Sequence, residues 1–132
     1  MQHNPPQRIL FVSNARLSVS LRREINARGF AVTVEPTGRE AVDQLTRSPF
    51  DIIVIDVASV VDVSDFIKRI RKLPTFKAIP VVACGEWGTG QPSLALSEGA
   101  DAFEPAPVDA ERLIEAIARL PRKRAAVAGK GH

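Results

Sequence analysis

A carboxylate ends the most apolar run of the chain: the segment Asp51–Asp56 reads DIIVID, with four aliphatic residues before Asp56. A second apolar run, Ile9–Val12, is followed by the polar pair Ser13 and Asn14. If both runs are neighbouring parallel strands, their carboxyl ends meet at one edge of the sheet, where open α/β sheets bind ligands. These three polar residues are therefore the first candidates for a functional site, with Asp56 as its only charge.

Other kinds of site have little support in the residues. The two histidines, His3 and His132, lie near the chain ends, so we expect no Ser-His or Cys-His catalytic pair in the folded region. The segment Val12–Arg16 contains no glycine, which argues against a glycine-rich phosphate-binding loop after the first strand. Cys84 lies within the apolar run Ile79–Cys84 and is expected to be a buried small hydrophobe. We therefore expect a protein that is not an enzyme.

Hydrophobic periodicity predicts strands and helices in alternation. Strands are predicted at Ile9–Val12, Phe30–Glu35, Asp51–Asp56, Ile79–Cys84 and around Ala102 and Phe103. The first helix is predicted at Leu17–Arg28, with Gly29 at its end, and the second from a capping box of Thr37 and Glu40 to about Arg47. The third is predicted around Phe66, Ile70 and Leu73. The last helix is predicted to follow the cap Asp109 and to bury Leu113, Ile117 and Leu120. The segment 85–93 is predicted to be a loop, with a short helix over 93–97. The third helix is expected to place four basic residues on a solvated face: Lys68, Arg69, Arg71 and Lys72.

This alternation predicts an α/β fold: a doubly wound, five-stranded parallel sheet of order 2-1-3-4-5, with helices on both faces and a flavodoxin-like architecture. At 132 residues the chain is long enough for one domain. We expect a flexible N-terminus over residues 1–7, a folded domain over 8–120 and a flexible basic tail over 121–132. Residues 119–132 contain five basic side chains and no acidic one, which accounts for the net charge of +3.

The composition also suggests where the protein acts. A single cysteine fits a reducing compartment, no run approaches the ~20 apolar residues of a membrane span, and the start MQHNPPQ lacks the apolar core of a signal peptide. We therefore expect a cytoplasmic protein with no membrane partner. Basic tails are more often solvated ends than nucleic-acid sites, so nucleic-acid binding is not expected either.

Over about residues 8–120 the chain resembles the receiver domain of bacterial two-component response regulators, the CheY-like superfamily. The resemblance is carried by six segments in order: RILFV (8–12), LRREINARGF (21–30), FDIIVID (50–56), FIKRIR (66–71), IPVV (79–82) and GADAF (99–103). It implies that 8–120 is a receiver-like domain. It also implies that a histidine kinase transfers a phosphoryl group to the aspartate after strand three, a position that falls on Asp56.

The resemblance also implies supporting groups, and here the chain departs from the family. Receivers carry an acidic pair after strand one that holds Mg²⁺, and this pair falls on Ser13 and Asn14. A threonine or serine after strand four falls on Gly85, and a lysine before a proline after strand five falls on Ala106. Mg²⁺ prefers carboxylate oxygens, so these neutral residues indicate a degenerate receiver, or pseudo-receiver.

Two aromatic residues complete the set of candidate positions. Phe103 falls on the switch aromatic of the family, and without a hydroxyl at Gly85 its expected role is packing. Trp87 lies in the predicted loop after strand four and is a candidate anchor for a partner protein. The same tryptophan could equally cover local apolar surface.

Two functions follow from the resemblance. In the first, the chain is an atypical receiver without a cofactor, and it binds a histidine kinase or a downstream effector through the face formed by the fourth helix, the fifth strand and the last helix. With no output domain before or after it, its signal is then expected to pass through that surface. In the second, it is a functional single-domain response regulator phosphorylated on Asp56, with a weak Mg²⁺ site at Asn14 and Asp56.

Overall fold

The computed structural model describes residues 7–14, 19–57, 63–85, 99–105 and 109–120. The strands are β1 (Gln7–Val12), β2 (Phe30–Glu35), β3 (Ile52–Asp56), β4 (Val81–Gly85) and β5 (Ala102–Pro105). The helices in these segments are α1 (Val19–Ala27), α2 (Gly38–Arg47), α3 (Val63–Lys72) and a C-terminal helix (Ala110–Ala118). The predicted helix over 93–97 and the predicted terminal segments before residue 7 and after residue 120 lie outside the described residues.

The five strands form one parallel sheet in the order β2-β1-β3-β4-β5, which confirms the predicted fold class and strand order. Strand β3 lies between β1 and β4, and the side chains of 52–55 are all buried. A central strand of a parallel sheet is covered on both faces, so both faces need apolar side chains. This is why the run before Asp56 does not alternate with polar residues.

Helices cover both faces of the sheet, and each face has its own apolar core. On one face, α2 and α3 pack against the sheet, and Leu45 and Phe66 belong to the same buried cluster as Ile53. On the other face, Ile25 of α1 joins a second cluster, which includes Leu113 of the C-terminal helix. Because successive residues of β3 point to opposite faces, the central strand contributes to both clusters.

The helix ends follow their local sequence signals. The Thr37 hydroxyl accepts a hydrogen bond from the backbone N–H of Glu40 (3.1 Å) and also donates to the Glu40 carboxylate (3.3 Å). Asp109 caps the C-terminal helix by accepting from the N–H of Arg112 at 2.8 Å. Gly29 follows α1 with a φ of +93°, a left-handed conformation that glycine adopts without a Cβ clash.

Several strand boundaries differ from the sequence expectation, and two of them differ by two residues. Strand β4 begins at Val81 rather than Ile79, because Pro80 has no N–H to donate to a ladder, and the N–H of Ile79 instead donates to the carbonyl of Phe76. Strand β1 begins two residues earlier than predicted, since Gln7 still pairs with β2. In the described part of the chain, no helix combines the length and the apolar character that crossing a membrane requires.

Candidate functional site

The register of β1 and β3 brings Ser13 and Asp56 together. Val12 pairs with Ile55, so the residues that follow these two in the chain meet at the carboxyl edge of the sheet. The Ser13 side chain is buried, with 5% of its surface exposed, and its hydroxyl donates a hydrogen bond of 3.0 Å to Oδ2 of Asp56. The backbone N–H of Ser13 donates to the carbonyl of Glu35, which ties the same residue to β2 at 2.9 Å. A buried hydroxyl thus holds a half-buried carboxylate at the end of the central strand.

Cys84 lies beside Asp56 on the other side, in register with it across the β3 and β4 pair. Burial, and then the negative charges of Asp56 and Glu104, raise the pKa of the Cys84 thiol to about 12. The thiol contacts the carbonyl oxygen of Ile55 as a donor, at 3.5 Å. Because only the thiolate is an effective nucleophile or metal ligand, Cys84 is a packing residue at this site, as the sequence predicted.

Some of the remaining predicted site positions lie in the segments that the structure describes, and others lie outside them. Asn14 is exposed directly after Ser13. Gly85 is the last residue of β4, is buried, and pairs with Pro105 of β5, so this position offers backbone groups but no hydroxyl. Ala106 and Trp87 lie outside the described residues. The structure therefore brings Ser13 and Asp56 of the predicted site into contact, with Asn14 directly after Ser13 and Gly85 on the adjacent strand β4 at the same edge of the sheet.

Phe103 and its neighbour Glu104 occupy the edge strand β5. Phe103 is partly buried and packs against the core cluster on the α2 and α3 side of the sheet. The Glu104 carboxylate, 12% exposed, forms an ion pair of 3.3 Å with Arg119 after the C-terminal helix. This ion pair connects β5 to the C-terminal helix at the surface that the sequence proposed for partners.

The donor set around Asp56 is poor in the carboxylate oxygens that Mg²⁺ prefers. Mg²⁺ is bound in proteins by carboxylate oxygens, usually one or two, in octahedral geometry. Within the described segments, no three His, Cys, Asp or Glu side chains are grouped so that they could hold a metal ion. Asp56 is the carboxylate that ends the central strand, and its Oδ2 accepts a hydrogen bond from the hydroxyl of Ser13.

One polar cluster of the domain was not predicted from the sequence. Arg71, expected on the solvated face of α3, is instead directed inward with 22% of its side chain exposed. Its guanidinium donates to the carbonyls of Lys77 (3.2 Å), Ile79 (2.7 Å) and Gly99 (2.9 Å), and it pairs with Asp101 at 3.4 Å. The expectation for Arg71 was therefore wrong, because the carbonyls before β4 and β5 need a buried donor. No local sequence pattern indicates that Arg71 and Asp101, which are 30 residues apart, form an ion pair.

Comparison with known proteins shows what this architecture resembles. No family model matches the chain. The response regulator MprA of Mycolicibacterium vanbaalenii is 29% identical over 120 residues, which cover 89% of this chain and 52% of that protein. The chain thus spans about half the length of this curated relative.

Solved structures match over nearly the whole domain. The chemotaxis response regulator CheY4 of Vibrio cholerae has a TM-score of 0.72 at 23% identity, covering 86% of this chain and 98% of that one. The receiver domain of a sensor histidine kinase from Pseudomonas aeruginosa, which has a magnesium ion coordinated in its active-site cleft, has a TM-score of 0.75 at 21% identity, covering 87% and 97%. With the sheet order β2-β1-β3-β4-β5, these matches show that the chain has the CheY-like receiver fold.

Proposed function

We propose that the protein is an atypical receiver domain of two-component signal transduction, which acts through protein contacts and not through Mg²⁺-dependent phosphorylation of Asp56. The observation that carries this proposal is the hydrogen bond of 3.0 Å from the Ser13 hydroxyl to Oδ2 of Asp56. At the position where receivers place a metal-binding acid, this chain has a neutral donor that already occupies an oxygen of the aspartate.

Phosphorylation of Asp56 would require positive charge beside it. An aspartate that attacks an anionic phosphoryl group suffers charge repulsion, so the site must supply a metal ion and fixed positive donors. Among the described residues, the neighbours of Asp56 include the hydroxyl of Ser13 and the neutral thiol of Cys84, whose pKa is raised to about 12 by burial and nearby carboxylates. Gly85 has no side chain to bind a phosphoryl oxygen. None of these groups offsets the repulsion.

A receiver of this kind transmits its signal by binding. The proposed partners are a histidine kinase or a downstream effector, which would contact β5 and the C-terminal helix. The Glu104 and Arg119 ion pair supports this surface, because it joins the two elements and would keep their relative position when a partner binds.

The alternative is a response regulator that accepts phosphate on Asp56. It is favoured by the position of Asp56 at the carboxyl end of the central strand, where the side chain is half-buried rather than sealed from solvent. In this reading Mg²⁺ would bind weakly through Asn14 and Asp56.

One experiment separates the two functions. The ¹⁵N-labelled protein is titrated with Mg²⁺ and beryllofluoride, and the amide resonances of Asp56, Gly85 and Ala106 are followed. We expect no saturable shift at millimolar Mg²⁺. The variant S13D/N14D, which places an acidic pair beside Asp56, is the matched control and should respond to Mg²⁺ alone. A saturable response of the unmodified protein would support the alternative.

A further inference from the structure

We infer that the outer side of α3 and the start of α2 form a docking surface for an acidic segment of a partner protein. The surface is defined by four exposed basic residues, here called the cationic face: Arg39, Lys68, Arg69 and Lys72. It lies on the opposite side of the sheet from the C-terminal helix, so it is separate from the partner surface proposed above.

The cationic face has no internal charge partners in the described structure. The ion pairs among the described residues are those of Arg71 with Asp101 and of Arg119 with Glu104. Lys68, Arg69 and Lys72 form none, although α3 contributes all of them from less than two turns. Arg71 is therefore directed inward to backbone carbonyls, and the other three basic residues of α3 are directed outward.

Two of the outward cations repel each other. Lys68 and Lys72 are four residues apart and lie on the same side of α3, where like charges repel. Carboxylates of a bound partner would relieve this repulsion, and complementary charge would also steer the partner toward the face.

A cleft at the edge of the cationic face gives the partner a place to dock. Arg39 of α2 and Arg69 of α3 both line it, together with Gly38, Asp65 and Phe66. Guanidinium groups bind carboxylates through two parallel hydrogen bonds, so a cleft that both arginines line is suited to a glutamate or aspartate side chain.

The surrounding residues favour a protein over a nucleic acid. Glu40 and Asp43 are exposed on α2, where they would repel a regular row of phosphates. Phe66 is 1% exposed, so it offers no surface on which a base could stack. A protein segment can present donors to these acids and carboxylates to the arginines.

Fluorescence anisotropy with a labelled polyglutamate peptide tests the inference. The variant K68E/R69E/K72E should weaken peptide binding by about tenfold or more. The matched control is R22E/R23E/R28E, which makes the same change in net charge at three exposed arginines on and after α1 and should weaken binding by less than about twofold. Equal losses in both variants would mean that net charge alone drives binding and would overturn the inference.

Two further arms keep the result interpretable. The variant K68Q/R69Q/K72Q, with circular dichroism as the folding check, replaces the glutamate variant if charge reversal disturbs α3, and it should also weaken binding. A DNA duplex is used as a second probe, and tighter binding of the duplex than of the peptide at equal salt would contradict a protein partner. Neither arm involves Asp56, so the outcome is independent of the Mg²⁺ titration that tests the proposed function.

Discussion

Replacing Ser13 with alanine should destabilise the fold by ~1.5 kcal/mol, because it removes the donor to Oδ2 of Asp56. Hydrogen bonds to charged groups contribute about 1.5–3 kcal/mol to stability. The Ser13 hydroxyl is buried, which favours a large effect, whereas Asp56 is half-buried and water can partly replace the lost donor. The expected value therefore lies at the lower end of that range.

A double-mutant cycle isolates this contact from the other effects of each substitution. The free energy of unfolding is measured by urea denaturation for the unmodified protein, Ser13→Ala, Asp56→Ala and the double variant. We expect a coupling energy of about 1–1.5 kcal/mol between the two positions, within the range for residues in direct contact. Ser20→Ala, at an exposed serine of α1, is the control and should change stability by less than about 0.5 kcal/mol.

The coupling energy shows whether the Ser13 hydroxyl binds Asp56 in solution. If the two single substitutions add to within about 0.3–0.5 kcal/mol, the hydroxyl and the carboxylate do not interact in solution. Ser13 would then not occupy an oxygen of Asp56 in solution, and the proposed function would lose the observation that carries it.

Three other predictions follow from contacts of the domain. Arg71→Ala should destabilise the fold by ~2–4 kcal/mol in urea denaturation, because it removes the ion-pair partner of the largely buried Asp101 carboxylate and the donor to several carbonyls. Lys72→Ala, on the outer side of the same helix, should cost less than about 0.5 kcal/mol. Gly99→Ala should lower the melting temperature more than Gly29→Ala. Both glycines have positive φ, so both substitutions strain the backbone. An added Cβ at position 99 would also lie 3.1 Å from the Ile67 side chain, whereas at position 29 it would meet nothing within 4 Å. The difference in free energy of unfolding between the unmodified protein and Cys84→Ala should be constant below about pH 9 and should fall as pH rises toward 12, by up to ~1.4 kcal/mol per pH unit. The reason is that folding raises the pKa of the thiol, so the unfolded chain releases the proton first. A difference that stays constant over this range, measured by urea denaturation in stepped buffers, would contradict the raised pKa.

Local sequence signals predicted most of the fold. The bounds of β2, the caps at Thr37 and Asp109 and the glycine after α1 all depend on neighbouring residues, and the structure has them where the sequence placed them. The start of β4 was missed because an apolar run does not reveal where the ladder begins, and Pro80 delays it by two residues.

The sequence by itself determined that an apolar run ends in Asp56, and its resemblance to receivers predicted neutral residues at the positions of their acids and hydroxyl. Only the tertiary structure decided which groups meet: Ser13 and Asp56 are 43 residues apart, and Arg71 and Asp101 are 30 residues apart. Periodicity reports which side of an element is apolar, and this is a local property of the chain. A buried polar group must find a partner, and that partner is set by strand register and helix packing, which only the folded chain specifies.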